Sequence, residues 1–245
     1  LDMTGSVTQG RKPTIYARGN HEIRGSKCEE LANIAAFSEK TGAYYTVEMP
    51  GIFGIVLDSG EDKADSHEAY GGTTQFQPYR DAQTQWLREV LDFRVWEKYP
   101  VRMVFAHVPI GFNAQDIFEG PYKEWTELLD QMGVSLLISG HKHYYGAYGP
   151  NSTKYKSDPN FSTLLMSDRE NEGVGVAYSA SFVTVGPTAY KSETISDALT
   201  VRATATFKLF NNTYVNAEVR SPGNTTSAEA EEIPISPATK ASVPA

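Results

Sequence analysis

The chain has little cysteine, no long apolar stretch and no excess of positive charge. Cys28 is its only cysteine, which excludes an internal disulfide and a thiolate cluster, so any metal ion must be held by histidine, asparagine or carboxylate side chains. No run of about 18 apolar residues occurs, and no membrane-spanning helix is predicted. The formal net charge of -8 argues against nucleic acid as an extended partner, because such binding needs a basic stripe.

The composition instead predicts one large domain followed by a tail. The chain has 245 residues, of which 40% are hydrophobic, enough for a sizeable core. From Gly223 onward the composition shifts to Ala, Glu, Ser, Thr and Pro, so we predict a domain over residues 1–222 and a disordered low-complexity tail over residues 223–245. Four glycosylation sequons favour an extracellular or periplasmic location. They begin at Asn151, Asn160, Asn211 and Asn224.

The apolar pattern predicts an α/β fold. Apolar residues recur at helical spacing from Trp86 to Trp96, which predicts a helix over residues 81–98. Further helices are predicted over residues 122–132 and from an N-cap at Ser26 through Phe37, stopping near Gly42. Strands are predicted over residues 13–17, 44–49, 52–57, 101–106 and 134–139, then over 161–166, 174–185, 199–210 and 214–219. This alternation indicates a largely parallel sheet with helices on both faces and an antiparallel continuation.

Three of the predicted strands end in residue types that bind metal ions. They lead into Gly19-Asn20-His21-Glu22, into His107-Val108-Pro109 and into Gly140-His141-Lys142-His143. Ligands of such sheets collect at the carboxyl ends of the strands, so these three segments should converge on one crevice. His141 and His143 are two positions apart and should leave the strand on the same side. Two imidazoles at this spacing suit zinc, iron or manganese.

Each motif alone also has an ordinary structural explanation. Asn20 and His21 are of a type often found in turns with satisfied side chains, and His107 can hydrogen bond to the backbone where a strand ends. The joint occurrence of all three motifs in this order favours the metal-binding interpretation.

The same three motifs resemble the third, fourth and fifth signature blocks of the calcineurin-like metallophosphoesterases, over about residues 12–145. The resemblance implies the β-sandwich flanked by helices that is typical of this family. It also implies two metal ions (Mn, Fe or Zn), with Asn20, His107 and His141 binding one and His143 the other. His21 would then face the phosphate and assist the leaving group, and Arg18 would contact the phosphate.

The sequence departs from the family pattern before residue 20. The Asp-x-His and Gly-Asp blocks of the family are absent there, so we expect an upstream segment of about 60 to 150 residues in the native enzyme. Asp65-Ser66-His67 matches Asp-x-His, but it follows no buried strand and comes in the wrong order, so we interpret it as a chance match. Among the nearby acidic residues, Glu22 is interpreted as orienting a metal ligand. Asp58 and Asp116 are interpreted as ordinary surface or loop carboxylates.

The function predicted from this resemblance is metal-dependent hydrolysis of small-molecule phosphate esters by a metal-bridging hydroxide. Phosphomonoesters are the favoured substrates, because the Gly-Asn-His-Glu and His-Val-Pro forms are similar to those of phosphomonoesterases. A cyclic-nucleotide or phospholipid phosphodiesterase is the alternative within the family. A non-catalytic binding protein on the same scaffold is the alternative outside enzymes. With two signature blocks absent, the chain alone is expected to be inactive.

Overall fold

A computed structural model of the chain describes most of its first two thirds and the later strands. The described residues are 6, 9–35, 37–38, 40–112, 121–143, 145–150, 152–166, 179–186, 189–196, 201–210, 213–220 and 229–230. No helix in these ranges combines the length and the apolar character needed to cross a membrane.

A seven-stranded sheet forms the centre of the fold. Its strands are β1 (Tyr45–Met49), β2 (Ile52–Leu57), β3 (Val101–Ala106), β4 (Leu136–Ser139), β5 (Tyr145–Tyr148), β6 (Ser162–Met166) and β11 (Glu229–Ala230). They lie in the order β1-β2-β3-β4-β6-β5-β11. Strands β2, β3, β4 and β6 are parallel to one another. Strand β1 forms an antiparallel hairpin with β2, and β5 is antiparallel to β6. The predicted largely parallel sheet is therefore confirmed.

A second sheet of four antiparallel strands follows along the chain. Its strands are β7 (Ser179–Val185), β8 (Ala189–Ser196), β9 (Val201–Phe210) and β10 (Thr213–Arg220), in the order β10-β9-β8-β7. The sequence did not predict β8, because its inward positions alternate between Tyr190 and the polar Ser192, both fully buried, and the apolar signal is weak. The sequence did not predict β5 either.

The two faces of the central sheet are covered by different layers. Helices α2 (Gln77–Phe93) and α3 (Pro121–Gln131) pack on one face, where Leu87 and Trp125 join the main core. The second sheet covers the other face, where Tyr190 and Phe207 pack with strand residues such as Met103. The β-sandwich flanked by helices is confirmed, and the expectation of helices on both faces is wrong.

Helix α2 begins four residues earlier than the sequence predicted. The carboxylate of Asp65 accepts hydrogen bonds from the backbone N–H groups of Phe76 and Gln77, at 2.9 and 2.8 Å, which satisfies donors that a helix start leaves unpaired. Pro78 follows in the first turn, where the backbone N–H that proline lacks would have no partner within the helix. At the other end Arg94 takes a left-handed conformation, and a 3₁₀ turn covers Val95–Lys98.

Two predictions for the first forty residues are wrong. Residues 13–19 form no strand: both backbone polar groups of Tyr16 bond to the hydroxyl of Tyr45, at 3.1 and 3.0 Å, so a side chain replaces a neighbouring strand there. The helix predicted from Ser26 consists of a 3₁₀ turn, Cys28–Glu30, and one α-helical turn, α1 (Leu31–Ile34). Lys27 precedes the 3₁₀ turn and makes no side-chain cap, so Ser26 is not the N-cap.

Of the predicted tail at residues 223–245, the described part is Glu229–Ala230, which pairs in parallel with β5. The rest of the tail and the residues around Asp116 lie outside the described residues. The domain boundary at residue 222 stays a prediction.

Candidate metal centre at the strand ends

The carboxyl ends of three neighbouring parallel strands meet at one edge of the central sheet. Leu57 pairs with Ala106, and Ala106 pairs with Ser139, so β2, β3 and β4 end in register. The residues that follow them are Asp58, His107 and Gly140. The backbone N–H of Gly140 also donates to the carbonyl of His107, at 3.0 Å, which ties two of these strand ends together.

Three of the predicted ligands come together at this edge. Asn20 is buried, and its Oδ1 lies 3.2 Å from Nε2 of His107. The imidazole of His141 packs edge-on against that of His107, with 5.3 Å between the ring centroids. The strand-end argument predicted the proximity of His107 and His141, whereas Asn20 follows no strand. Their role as metal ligands stays a prediction.

The other predicted site residues are more exposed. His21 and His143 are exposed, and so is Glu22. His141 and His143 both adopt positive backbone φ angles, of 67° and 56°, which residues other than glycine rarely take. The chain after β4 is therefore bent sharply at both histidines. The side chains of His141 and His143 were expected to point to the same side because side chains two positions apart do so in a strand. This reasoning does not apply to a backbone with positive φ angles at both residues.

Electrostatics keep His107 in the form that a metal ligand requires. Burial lowers the pKa of His107; Glu22 opposes this effect, and the imidazoles of His143 and His21 add to it. A histidine with a lowered pKa is neutral at pH 7, and only the neutral ring offers a lone pair to a metal ion.

Arg18 and Asp58 form an ion pair beside these residues. Nη2 and Nε of Arg18 lie 2.6 and 2.9 Å from Oδ2 of Asp58. The same oxygen accepts a hydrogen bond from the hydroxyl of Tyr79, at 2.8 Å. The interpretation of Asp58 as an ordinary surface or loop carboxylate is wrong, because this residue is 1% exposed and bound to three side chains or backbone groups.

Two further acidic residues of the same loop were missed from the sequence. Asp62 lies with Oδ2 3.5 Å from Nε2 of His141, and Glu61 pairs with Arg24. Burial raises the pKa of Asp62, but hydrogen bonds from Lys63 and Tyr70 outweigh burial and hold that pKa below its ordinary value. The sequence carried one usable signal, since Asp58 follows β2 just as His107 follows β3.

The Asp-x-His match at Asp65-Ser66-His67 has a structural role. Asp65 caps α2 as described above and pairs with Arg80, at 3.5 Å. Nδ1 of His67 accepts a hydrogen bond from the backbone N–H of Ala69, at 3.1 Å, at the start of a 3₁₀ turn. These bonds agree with the interpretation of the match as a chance one.

The distance between the donor atoms of Asn20 and His107 is compatible with two ligands of one metal ion. Two ligands about 2.1 Å from one ion lie about 3.0 Å apart in octahedral and about 3.4 Å apart in tetrahedral geometry. The 3.2 Å between Asn20 and His107 falls between these values. In the described part of the chain, no group of three His, Cys, Asp or Glu side chains is arranged as a metal site.

Comparison with known proteins shows the family of the chain. The family model for calcineurin-like phosphoesterases matches residues 3–145, which is more than half of the chain. The chain belongs to the calcineurin-like phosphoesterase family. Metal-dependent hydrolysis of phosphate esters is the general chemistry of this family. The matched region ends at Tyr145, so it contains all three strand-end motifs.

Two curated relatives and one solved structure are similar to this calcineurin-like phosphoesterase. The serine/threonine-protein phosphatase CPPED1 of Homo sapiens and that of Pongo abelii are each 24% identical over 140 residues, covering 54% of this chain and 41% of the relative. The chain thus spans about two fifths of the length of these relatives. The purple acid phosphatase PPD1 from seeds of yellow lupin (Lupinus luteus) superposes with a TM-score of 0.50 at 14% identity, covering 76% of this chain and 38% of that one, which confirms the fold.

Proposed function

We propose that the protein hydrolyses phosphate monoesters with metal ions bound at the strand ends of β3 and β4. The observation that carries the proposal is the contact of Asn20 with His107, 3.2 Å apart at the edge where His141 also lies. Membership of a phosphoesterase family supports the hydrolytic chemistry. The preference for monoesters rests on the form of the motifs in the sequence.

Each predicted residue has a distinct part in this proposal. Asn20, His107 and His141 would hold one metal ion, and His143 would contribute to a second. Bound Mn, Fe or Zn would supply a Lewis acid for the phosphoryl oxygens and lower the pKa of a bound water. His21, exposed and next to Asn20, would donate a proton to the leaving oxygen.

Arg18 remains the candidate for binding the phosphate. Its guanidinium is held by Asp58, yet about a fifth of the side chain, 21%, stays exposed. A guanidinium has five N–H donors, so the contact with one carboxylate oxygen leaves donors for a phosphate. The ion pair would therefore fix the direction of Arg18 and leave it able to bind the substrate.

The experiment compares a monoester with a diester. The full-length protein, loaded in turn with manganese, zinc or iron, is assayed on p-nitrophenyl phosphate and on bis-p-nitrophenyl phosphate, with His141→Ala as the control. We expect metal-dependent turnover of the monoester that His141→Ala abolishes. A preference for the diester would favour a phosphodiesterase. Stoichiometric metal binding without turnover of either ester would favour a non-catalytic binding protein.

We also propose that the 245-residue chain alone is essentially inactive. The predicted ligand set assigns Asn20, His107 and His141 to one ion and His143 alone to the other, and a single imidazole does not hold a divalent cation against water. Metal analysis should find at most about one ion per chain. Hydrolysis of p-nitrophenyl phosphate by this chain with manganese or zinc, absent from its His141→Ala variant, would contradict the proposal.

An extracellular or periplasmic location remains a proposal supported by the four sequons. Fractionation of the native source, with detection of the full-length protein in each compartment, tests it directly. Recovery of the protein in the cytosolic fraction would contradict it.

A further inference from the structure

One buried loop contacts the segment that carries Asn20 and His21 on both sides. We call residues 58–62, which follow β2, the acidic loop. Asp58 at its start pairs with Arg18, two residues before Asn20. Glu61 near its end pairs with Arg24, three residues after His21. The two ion pairs therefore enclose the segment of residues 18–24.

Both contacts have a geometry that fixes orientation. Nε and Nη2 of Arg24 donate to the two carboxylate oxygens of Glu61, at 2.7 and 2.5 Å, as a bidentate pair. Nε of Arg18 donates to Oδ2 of Asp58, and Nη2 of Arg18 lies 2.6 Å from the same oxygen. A planar fork bound at two points cannot rotate freely, so each arginine holds its stretch of backbone in place.

The acidic loop is itself anchored to helix α2. Arg80, which is fully buried, donates to the carbonyls of Ser59 and Glu61, at 2.9 and 3.1 Å. Gln83 exchanges two hydrogen bonds with the backbone of Asp58. The loop is thus a rigid support, because side chains of a long helix hold its backbone.

The enclosed segment has little support of its own. Residues 18–24 form neither strand nor helix. Within the described residues, the one hydrogen bond between backbone groups of this segment runs from the N–H of Arg24 to the carbonyl of His21, at 3.2 Å. Without a ladder of backbone bonds, such a segment keeps its shape through side-chain contacts. Asn20 and His21 lie in the middle of it.

We propose that Asp58 and Glu61 are positioning residues, which set the places of Asn20 and His21 through Arg18 and Arg24. This inference rests on the proposed function for its catalytic consequence. The structural part, a segment braced by two arginine–carboxylate pairs, is independent of any activity. Glu61 and Arg24 belong to neither the predicted ligands nor the predicted catalytic groups.

The test compares Glu61→Gln and Arg24→Lys in the full-length protein. Gln is the same size as Glu but uncharged, and Lys keeps the charge but loses the bidentate fork. The matched control is Glu97→Gln, which breaks the exposed Arg94–Glu97 pair at the end of α2. Three quantities are measured for each: amide hydrogen exchange of residues 18–25, the dissociation constant for Mn²⁺, and kcat and KM on p-nitrophenyl phosphate.

We expect both variants to exchange faster over residues 18–25 while the exchange of β2, β3 and β4 stays as in the wild type. Metal affinity or kcat should fall about 10- to 100-fold, the range for groups that orient metal ligands, with KM nearly unchanged. The double variant should lose no more than either single variant, because the two residues act through one contact. Glu97→Gln should match the wild type in all three.

Two results would overturn the inference. One is wild-type exchange over residues 18–25 in Glu61→Gln, since the segment would then be held by other contacts. The other is a loss of kcat that follows the fraction of unfolded protein, with additive effects in the double variant. Absence of turnover in the wild type would reject the proposed function, and the exchange and Mn²⁺ measurements would still decide whether the brace exists.

Discussion

Oδ1 of Asn20 and Nε2 of His107 lie 3.2 Å apart although 87 positions separate them in the chain. Asn20 is in a loop, whereas His107 follows a strand that lies between two others of the central sheet. A buried amide oxygen beside a histidine kept neutral by burial forms a pair of donors suited to one metal ion.

Replacement of the two kinds of histidine should have different effects. In the full-length protein, His21→Ala should lower kcat by about two to four orders of magnitude, the range for general acid catalysis, with metal content unchanged. His141→Ala should lose metal, because the ring of His141 packs against that of His107 at the candidate centre. Metal analysis of the purified variants checks both. Equal metal loss in the two variants would show that catalytic and ligating roles are wrongly divided.

Gly19→Ala should displace the residues around His107. A Cβ at position 19 would lie 2.4 Å from Oε2 of Glu22 and 3.1 Å from Cγ and Nδ1 of the His107 ring. Glu22 can swing away, but the ring of His107 is confined, so metal affinity and kcat should fall together about tenfold or more. The control is Gly149→Ala, whose Cβ would meet no atom within 4 Å. Wild-type Mn²⁺ affinity in Gly19→Ala would contradict the crowded geometry.

Loss of Arg80 should destabilise the fold far more than loss of its neighbour Arg88. Arg80→Leu leaves the carbonyls of Ser59 and Glu61 on the acidic loop without their donor, and each buried acceptor left unpaired costs about 1 to 3 kcal/mol. Arg88→Leu, on the same helix as Arg80, removes an exposed pair with Glu124 of α3 and should cost less than about 1 kcal/mol. Urea unfolding measures both free energies. Similar values would show that Arg80 does not anchor the loop.

Stability should depend on the ionisation of Asp130. Burial raises the pKa of Asp130 from 3.8 to about 6, and the two hydrogen bonds from Asn160 only partly offset this effect. Because the folded protein holds the proton more tightly than the unfolded chain, this group contributes stability below about pH 4 that is lost as the pH rises to about 6. The shift of about two units corresponds to at most about 3 kcal/mol.

Asp130→Asn should therefore gain stability relative to the wild type as the pH rises through this window. Urea unfolding at pH 4, 5, 6 and 7 gives the difference between the two proteins. Asp158→Asn, at an exposed aspartate close to Asn160, is the control. A flat difference for Asp130→Asn would mean that Asn160 compensates the buried charge completely.

The sequence by itself determined the order of the strand-end motifs and most of the elements that carry them. Strands β2, β3 and β4 are short apolar runs whose ends are set by polar residues, so their limits and the residues that follow them can be read locally. His107 and His141 were predicted as neighbours for this reason, since parallel strands share one carboxyl edge. Helix α2 was recognised from its apolar spacing, and its start was misplaced because the cap comes from Asp65, outside the helix.

Only the tertiary structure decided how the loop residues are paired. Asp58, Glu61 and Arg24 are polar residues in irregular segments, and their local sequence does not distinguish a solvated charge from a buried ion pair. Their burial depends on α2, whose Arg80 and Gln83 fix the acidic loop from a distance of about 20 positions along the chain. In the same way, residues 13–17 read as a strand, but a strand needs a neighbour for its backbone groups, and here a tyrosine hydroxyl takes that place.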